Sequence, residues 1–178
     1  IKSALAYNRT REIIKTFISK MKTEHHFENF LPKDFYLTIN DNSVLKTSIG
    51  PENATLIITL FFDYECSHCK KAYYKSVALQ EKHPKDIQIV FKHMPIPTHK
   101  GATAKAKASV CAQEQGQFLE YSTVLFETMR PLSNTNLVKL STELGLDTGL
   151  FKQCIDSKRT TDILAADLSE IKRLALTG

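Results

Sequence analysis

Apolar residues recur at three- and four-residue steps from Thr10 to Phe30. Ile13, Ile14, Phe17, Ile18 and Met21 share one side of a helical wheel, while Arg11, Glu12, Lys15, Lys20 and Lys22 occupy the rest. That spacing predicts an amphipathic opening helix. Pro32 closes it, because proline lacks a backbone donor and disfavours helix at the residue before it. A short strand is predicted from Phe35 to Ile39, then a turn through Asn40, Asp41, Asn42 and Ser43. From Ala54 to Phe62 the run ATLIITLFF is nearly continuous and rich in β-branched side chains, the pattern of a parallel strand covered on both faces. Cys66 to about Lys82 reads as a helix ended by His83-Pro84, and Ile87 to Lys92 as the next strand. Strand, helix, strand in that order is a βαβ unit with an expected right-handed crossover.

Beyond Lys92 the period changes. TAKAKASVCAQEQGQ, QFLEYSTVLFETM, TNLVKLSTELG, DTGLFKQCIDS and TTDILAADLSEIKRLAL are successive helical patterns, and no further strand is predicted. Asn134 or Thr135 and Asp147 are the expected N-caps, and Gly145 the expected left-handed C-cap. Three strands are few for a sheet that carries five such helices.

The totals change this picture little. At 178 residues, 42% hydrophobic and 24% charged, the chain has the size and composition of one globular domain, or one domain with an insertion. No apolar run approaches the ~18 residues that span a bilayer, and the opening residues lack a signal-peptide core. The net charge of +5 comes from scattered lysines without interleaved aromatics, so a solvated surface is expected and no nucleic-acid partner.

The candidate chemistry lies in Cys66-Ser67-His68-Cys69, where the apolar strand hands over to a helix. A helix N-terminus carries roughly half a positive charge and unpaired N–H groups, so a cysteine there is favoured as thiolate, the nucleophile of disulfide exchange. Cys66 is the expected attacking thiol and Cys69, one turn on, the resolving one. A protonated His68 would favour the thiolate further, and a stabilised thiolate makes the disulfide a stronger oxidant. Zinc is the competing use of such a pair. It needs two more ligands, and His93, His99 and the two remaining cysteines offer no knuckle spacing. Asp63 and Glu65 are expected to solvate the loop rather than relay protons, and His25-His26 to mark an exposed helix end. Cys111 and Cys154 fit either two small core residues or a disulfide between helices. Beside a redox-active pair the bridge is favoured, and it implies an oxidising compartment.

At these residues the chain resembles the DsbA-like branch of the thioredoxin superfamily. FFDYECSHCKKA is similar to that family's active-site segment. VFKHMPI, ASVCAQEQGQFLEYSTVLFE and LGLDTGLFKQCID resemble, in order, its following strand and its inserted helical domain. The resemblance implies an α/β thioredoxin-like fold divided as an N-terminal helical extension (1–34), a βαβ part with the active site (35–98) and a helical insertion (99–178). It implies Cys66 and Cys69 as catalytic thiols, Ser67 and His68 as the dipeptide that tunes the potential, and Cys111 with Cys154 as a structural pair. It further implies a bacterial periplasmic or otherwise extracytoplasmic enzyme that introduces disulfides into reduced exported proteins and is reoxidised by a membrane redox partner. No cofactor or metal is expected, since the sulfurs carry the electrons. A disulfide isomerase or reductase of the same fold and a zinc-stabilised binding module are the alternatives. The opening helix either joins two copies of the chain or packs its apolar stripe on its own domain. In this family a cis-proline loop and further strands follow the insertion. The sequence ends at Thr177-Gly178 where that loop is expected, and Pro95 and Pro97 do not occupy its place.

Overall fold

A computed structural model describes residues 47–176. The opening helix, the strand at 35–39, the turn after it and His25-His26 lie outside the described residues. All described residues belong to one compact unit that spans residues 39–178.

The strands are β1 (Ser48–Ile49), β2 (Leu56–Phe62) and β3 (Ile87–His93), in the spatial order β1-β3-β2. β2 and β3 run parallel from Leu56 opposite Ile87 to Phe62 opposite His93, with α1 (Ser67–Lys82) as the crossover between them. This is the βαβ unit that the period change predicts. β1 is new. It pairs antiparallel with β3 through Ser48 opposite Val90 and Ile49 opposite Ile89, and a strand of two residues leaves no period in the sequence. The burial of β2 also departs from expectation. Every residue of β3 is buried, whereas Leu56 and Ile57 of β2 are about half exposed, at 50% and 54%. The continuous apolar run suggests cover on both faces, but β2 is an edge strand of the described sheet and its first residues are open.

Five helices follow: α2 (Ala102–Gln113), α3 (Phe118–Glu127), α4 (Asn134–Glu143), α5 (Thr148–Ile155) and α6 (Lys158–Arg173). Asp147 caps α5 by accepting the Leu150 N–H at 2.9 Å, as its position predicts. The α4 cap is a correction. Ser133, rather than Asn134 or Thr135, is extended and accepts the Asn136 N–H at 3.3 Å, so the helix begins one residue early. Gly145 ends α4 with φ +75°, and the N–H groups of Gly145 and Leu146 donate back to Thr142 and Ser141, which satisfies two orphan carbonyls.

α2 is the axis of the helical layer and touches α3, α4, α5 and α6. Its sequence explains why, since Ala102, Ala106, Ala108 and Ala112 are small enough to let neighbouring helices close on it. A disulfide joins Cys111 of α2 to Cys154 of α5, with Cα atoms 5.7 Å apart. Sheet and helices meet in an aromatic cluster. Phe91 of β3 lies 5.8 Å from the ring of Tyr73 on α1 and 5.0 Å from Phe118 on α3, and Tyr73 lies 4.8 Å from Phe126. The next residue on β3, Lys92, turns the other way and reaches Asp167 of α6 at 3.3 Å. Alternate positions of one strand thus serve different layers.

Candidate active site

The loop from Asp63 to Glu65 joins the end of β2 to the start of α1 and sets the site. Cys66 is the N-cap of α1, extended at φ −93°, with no side-chain cap bond. Its N–H donates to the Asp63 carbonyl at 3.2 Å, and its carbonyl accepts the Lys70 N–H at 3.0 Å. The Cys66 sulfur therefore stands where the helix leaves N–H groups unpaired. Ser67 and His68 follow on the first turn and are exposed. Cys69 completes that turn and packs against the main core cluster. Both thiols are free and partly buried.

The two sulfurs differ in surroundings. Burial pushes the Cys69 thiol up to about 11. The Cys66 sulfur and the charge of Asp63 push the same way, against a hydrogen bond from the Asp63 backbone. Cys69 is thus a thiol that keeps its proton, one helical turn below a thiol placed at the helix terminus.

Asp63 and Glu65 do not solvate this loop. Asp63 is 1% exposed, and its carboxylate accepts the N–H groups of Glu65 and Ile96 at 2.6 Å each. His99 places Nδ1 3.0 Å from the same carboxylate. The Ile96 bond ties the Cys66 loop to the segment that follows β3. Glu65 accepts the Gly101 N–H at 3.2 Å and lies 3.6 Å from the ammonium of Lys105, a lysine with no exposed surface. Lys105 also donates to the Thr128 carbonyl. Burial lowers the Lys105 ammonium below the ordinary lysine value, while Glu65 and Asp63 oppose that shift. Gly101 admits this packing. A Cβ there would meet the Glu65 carboxylate and stand 2.7 Å from the Cα of Pro131. The Ile96 and Gly101 partners are not visible from Asp63 and Glu65 alone, because they lie 33 and 36 residues further along the chain.

A second buried polar group lies behind the site. Asp167 accepts the His93 N–H, the His93 ring reaches Ser109 at 2.8 Å, and Tyr64 of the active-site loop bonds Ser122 at 2.7 Å. Ser109 spends its own proton on the Ala106 carbonyl, so Nε2 of His93 is the donor toward it. All of these side chains are buried, which makes them fasteners between layers. Among the described residues, no three histidine, cysteine or acidic side chains are grouped to hold a metal ion.

The thioredoxin family profile matches residues 42–178. A thioredoxin-like oxidoreductase from Silicibacter pomeroyi superposes with a TM-score of 0.68 at 23% identity, covering 79% of each chain. The thiol-disulfide exchange protein alpha-DsbA2 from Wolbachia pipientis superposes with a TM-score of 0.67 at 19% identity, covering 94% of this chain and 82% of that one. A curated relative, the Na(+)/H(+) antiporter NhaA of Herminiimonas arsenicoxydans, is 32% identical over 120 residues, 67% of this chain and 19% of its own length. The chain therefore spans about a fifth of the length of the curated relatives it matches. The chain belongs to the thioredoxin family. Its fold is thioredoxin-like α/β, of the kind seen in DsbA-like proteins.

Proposed function

We propose that the protein is a thiol–disulfide oxidoreductase that works through Cys66 and Cys69. The observation that supports this best is the inequality of the two sulfurs, with Cys66 at the helix N-cap and Cys69 packed on the core with its thiol pushed up to about 11. In the oxidising direction a substrate thiolate attacks Cys66 of the Cys66–Cys69 disulfide. Cys69 leaves and takes up a proton, and a mixed disulfide forms between substrate and Cys66. The substrate's second thiolate then attacks its own sulfur in that bond and releases Cys66, so that the substrate is oxidised and the enzyme reduced by two electrons. Ser67 and His68, exposed beside Cys66, are the residues proposed to tune this exchange.

The finer proposal is an oxidase of exported proteins, reoxidised by a membrane partner. The Cys111–Cys154 bridge supports an oxidising compartment, because such bonds persist outside the reducing cytosol. The three-part division at residues 34 and 98 belongs to the same proposal, with the insertion packed beside the thiols. Equilibration with glutathione buffers, followed by acid quench and thiol counting, tests it. An oxidase gives a Cys66–Cys69 midpoint well above the glutathione poise. A midpoint below that poise replaces it with the reductase or isomerase reading, and failure to exchange removes the redox reading altogether.

A further inference from the structure

The exposed face of α1 starts beside the thiols and runs the length of the helix. Ser67 and His68 open it, and Lys71, Lys75 and Lys82 continue it, all of them exposed. At 3.6 residues per turn these positions share one face, and the three lysines fall within about 40° of one another. Lysines that are scattered in the sequence are thus aligned along the helix, over about 16 Å from Lys71 to Lys82. We propose that this stripe is a docking surface for an acidic stretch of the substrate polypeptide, lying next to the cysteine that exchanges with Cys66. The inference rests on the reading of Cys66 and Cys69 as an exchanging couple and names the class of substrate that the couple takes.

The neighbours of the stripe leave its charge uncompensated. Lys70, one position off it, is held by Glu127 of α3 at 2.9 Å. Lys139 and Lys158 each pair with an acid four residues on along their own helices. Among the described residues, no carboxylate pairs with Lys71, Lys75 or Lys82. Within α1 the positions three and four residues from each of them hold no acid, and Glu81, the sole acid of the helix, stands at its last turn. Helix stability gives no reason for this arrangement. The first turn lacks the acid that the helix dipole favours there, and Lys71 and Lys75 repel each other one turn apart. Lys82, in the last turn, does suit the dipole.

An acidic partner relieves that repulsion and matches the stripe in length. An extended chain advances about 3.3 Å per residue, so about five residues cover the lysines. Such a segment laid along α1 brings a cysteine at its end to the start of the helix, where Cys66 is the N-cap. Exposed charges add little affinity but speed the encounter of opposite partners, so the effect is expected in the rate of exchange. The chemical step is unchanged. A substrate thiolate attacks Cys66, Cys69 leaves and takes up a proton, and the substrate's second thiolate releases Cys66. Two electrons pass from the substrate to the Cys66–Cys69 disulfide, and the substrate's own disulfide forms.

The test presents the oxidised full chain with two-cysteine peptides flanked by about five residues of glutamate, of glutamine or of lysine. Acid quench and thiol counting give the second-order rate constants, each expressed per peptide thiolate. The readout is the ratio of the acidic to the uncharged peptide. Wild type is expected to favour the acidic peptide about tenfold at ~0.01 M salt and to lose the preference near ~1 M, where screening acts within about 3 Å. Lys71→Gln/Lys75→Gln/Lys82→Gln brings the ratio toward one. Lys71→Glu/Lys75→Glu/Lys82→Glu makes the lysine peptide the faster. Lys139→Gln/Lys152→Gln/Lys172→Gln, which removes equal charge from α4, α5 and α6, keeps the wild-type ratio. If the charge-reversed variant fails to fold, the glutamine variant carries the comparison. An equal fall with both peptides, which leaves the ratio unchanged, places the lysines' effect on the thiols and overturns the proposal. Sedimentation with phosphatidylserine vesicles that the glutamine variant loses, together with a wild-type peptide ratio of one, assigns the stripe to a lipid surface and overturns it too. A wild type that exchanges with no peptide defeats the redox reading itself. A wild type that exchanges equally with all of them defeats this inference alone.

Discussion

The carboxylate of Asp167 on α6 accepts the backbone N–H of His93 on β3 at 2.8 Å across 74 residues of sequence, with both side chains at 5% exposure or less. Lys92 reaches the other oxygen at 3.3 Å. One carboxylate thus fastens the last described helix to the sheet that carries the site. Asp167→Asn keeps the shape but leaves two basic groups facing a neutral amide, and breaking a buried pair of this kind costs about 3 kcal/mol. Urea denaturation at neutral pH measures the loss.

The same residue fixes a pH dependence. Burial works to raise the Asp167 carboxyl, but hydrogen bonds from the His93 ring and backbone, with the charges of His93 and Lys92, outweigh it and hold the group below its ordinary value. A depressed folded value means that its contribution is complete above the unfolded carboxylate range, about 3.9, and is lost as pH falls through the folded value. Wild-type stability is therefore expected to fall more steeply below about pH 4 than that of Asp167→Asn. Parallel acid titrations of the two proteins, followed by circular dichroism, check the difference in slope.

The Cys111–Cys154 bridge closes a loop with a sequence separation of 43 in the helical layer. The loop-entropy relation gives about 4 kcal/mol for such a span. The double variant Cys111→Ser/Cys154→Ser is expected to lose stability of that order while it keeps exchange at Cys66, since neither residue belongs to the active-site loop. Thermal melts and a thiol-exchange assay on one preparation separate the two effects.

Much of the architecture is legible in the sequence because it is periodic. The β-branched run of β2, the βαβ order and the later helices all repeat their apolar positions often enough to be read. β1 is too short to carry a period. The solvated role expected of Asp63 and Glu65 fails for another reason. An acid in a polar loop looks solvent-bound until the fold delivers the Ile96 N–H, His99, the Gly101 N–H and Lys105 from distant positions. Local sequence places the two thiols at a helix start, but the charges that surround them are assembled by tertiary structure. Lys92 and His93 make the same point. In the sequence they end an apolar strand, and distant partners, Asp167 for both and Ser109 for the His93 ring, account for their burial.

Gly101 offers a steric check on that charge cluster. Its φ of −96° suits any residue, so what it supplies is close approach, with the Glu65 carboxylate and the Pro131 backbone where a Cβ would sit. Gly101→Ala is expected to destabilise by about 1–3 kcal/mol, as overpacking does, and to shift Glu65 away from Lys105. Denaturation gives the first effect. Comparison with Gly101→Ala/Glu65→Ala gives the second, because the shorter side chain is expected to return part of the loss.

The proposed exchange depends most on Cys66 and Cys69 being unequal. The direct measurement is to treat the fully reduced chain at neutral pH with less than one equivalent of iodoacetamide and map the label by peptide mass. The predicted result is label on Cys66 in large excess over Cys69, whose thiol keeps its proton. Equal labelling, or label mainly on Cys69, contradicts the assignment of attacking and resolving thiols.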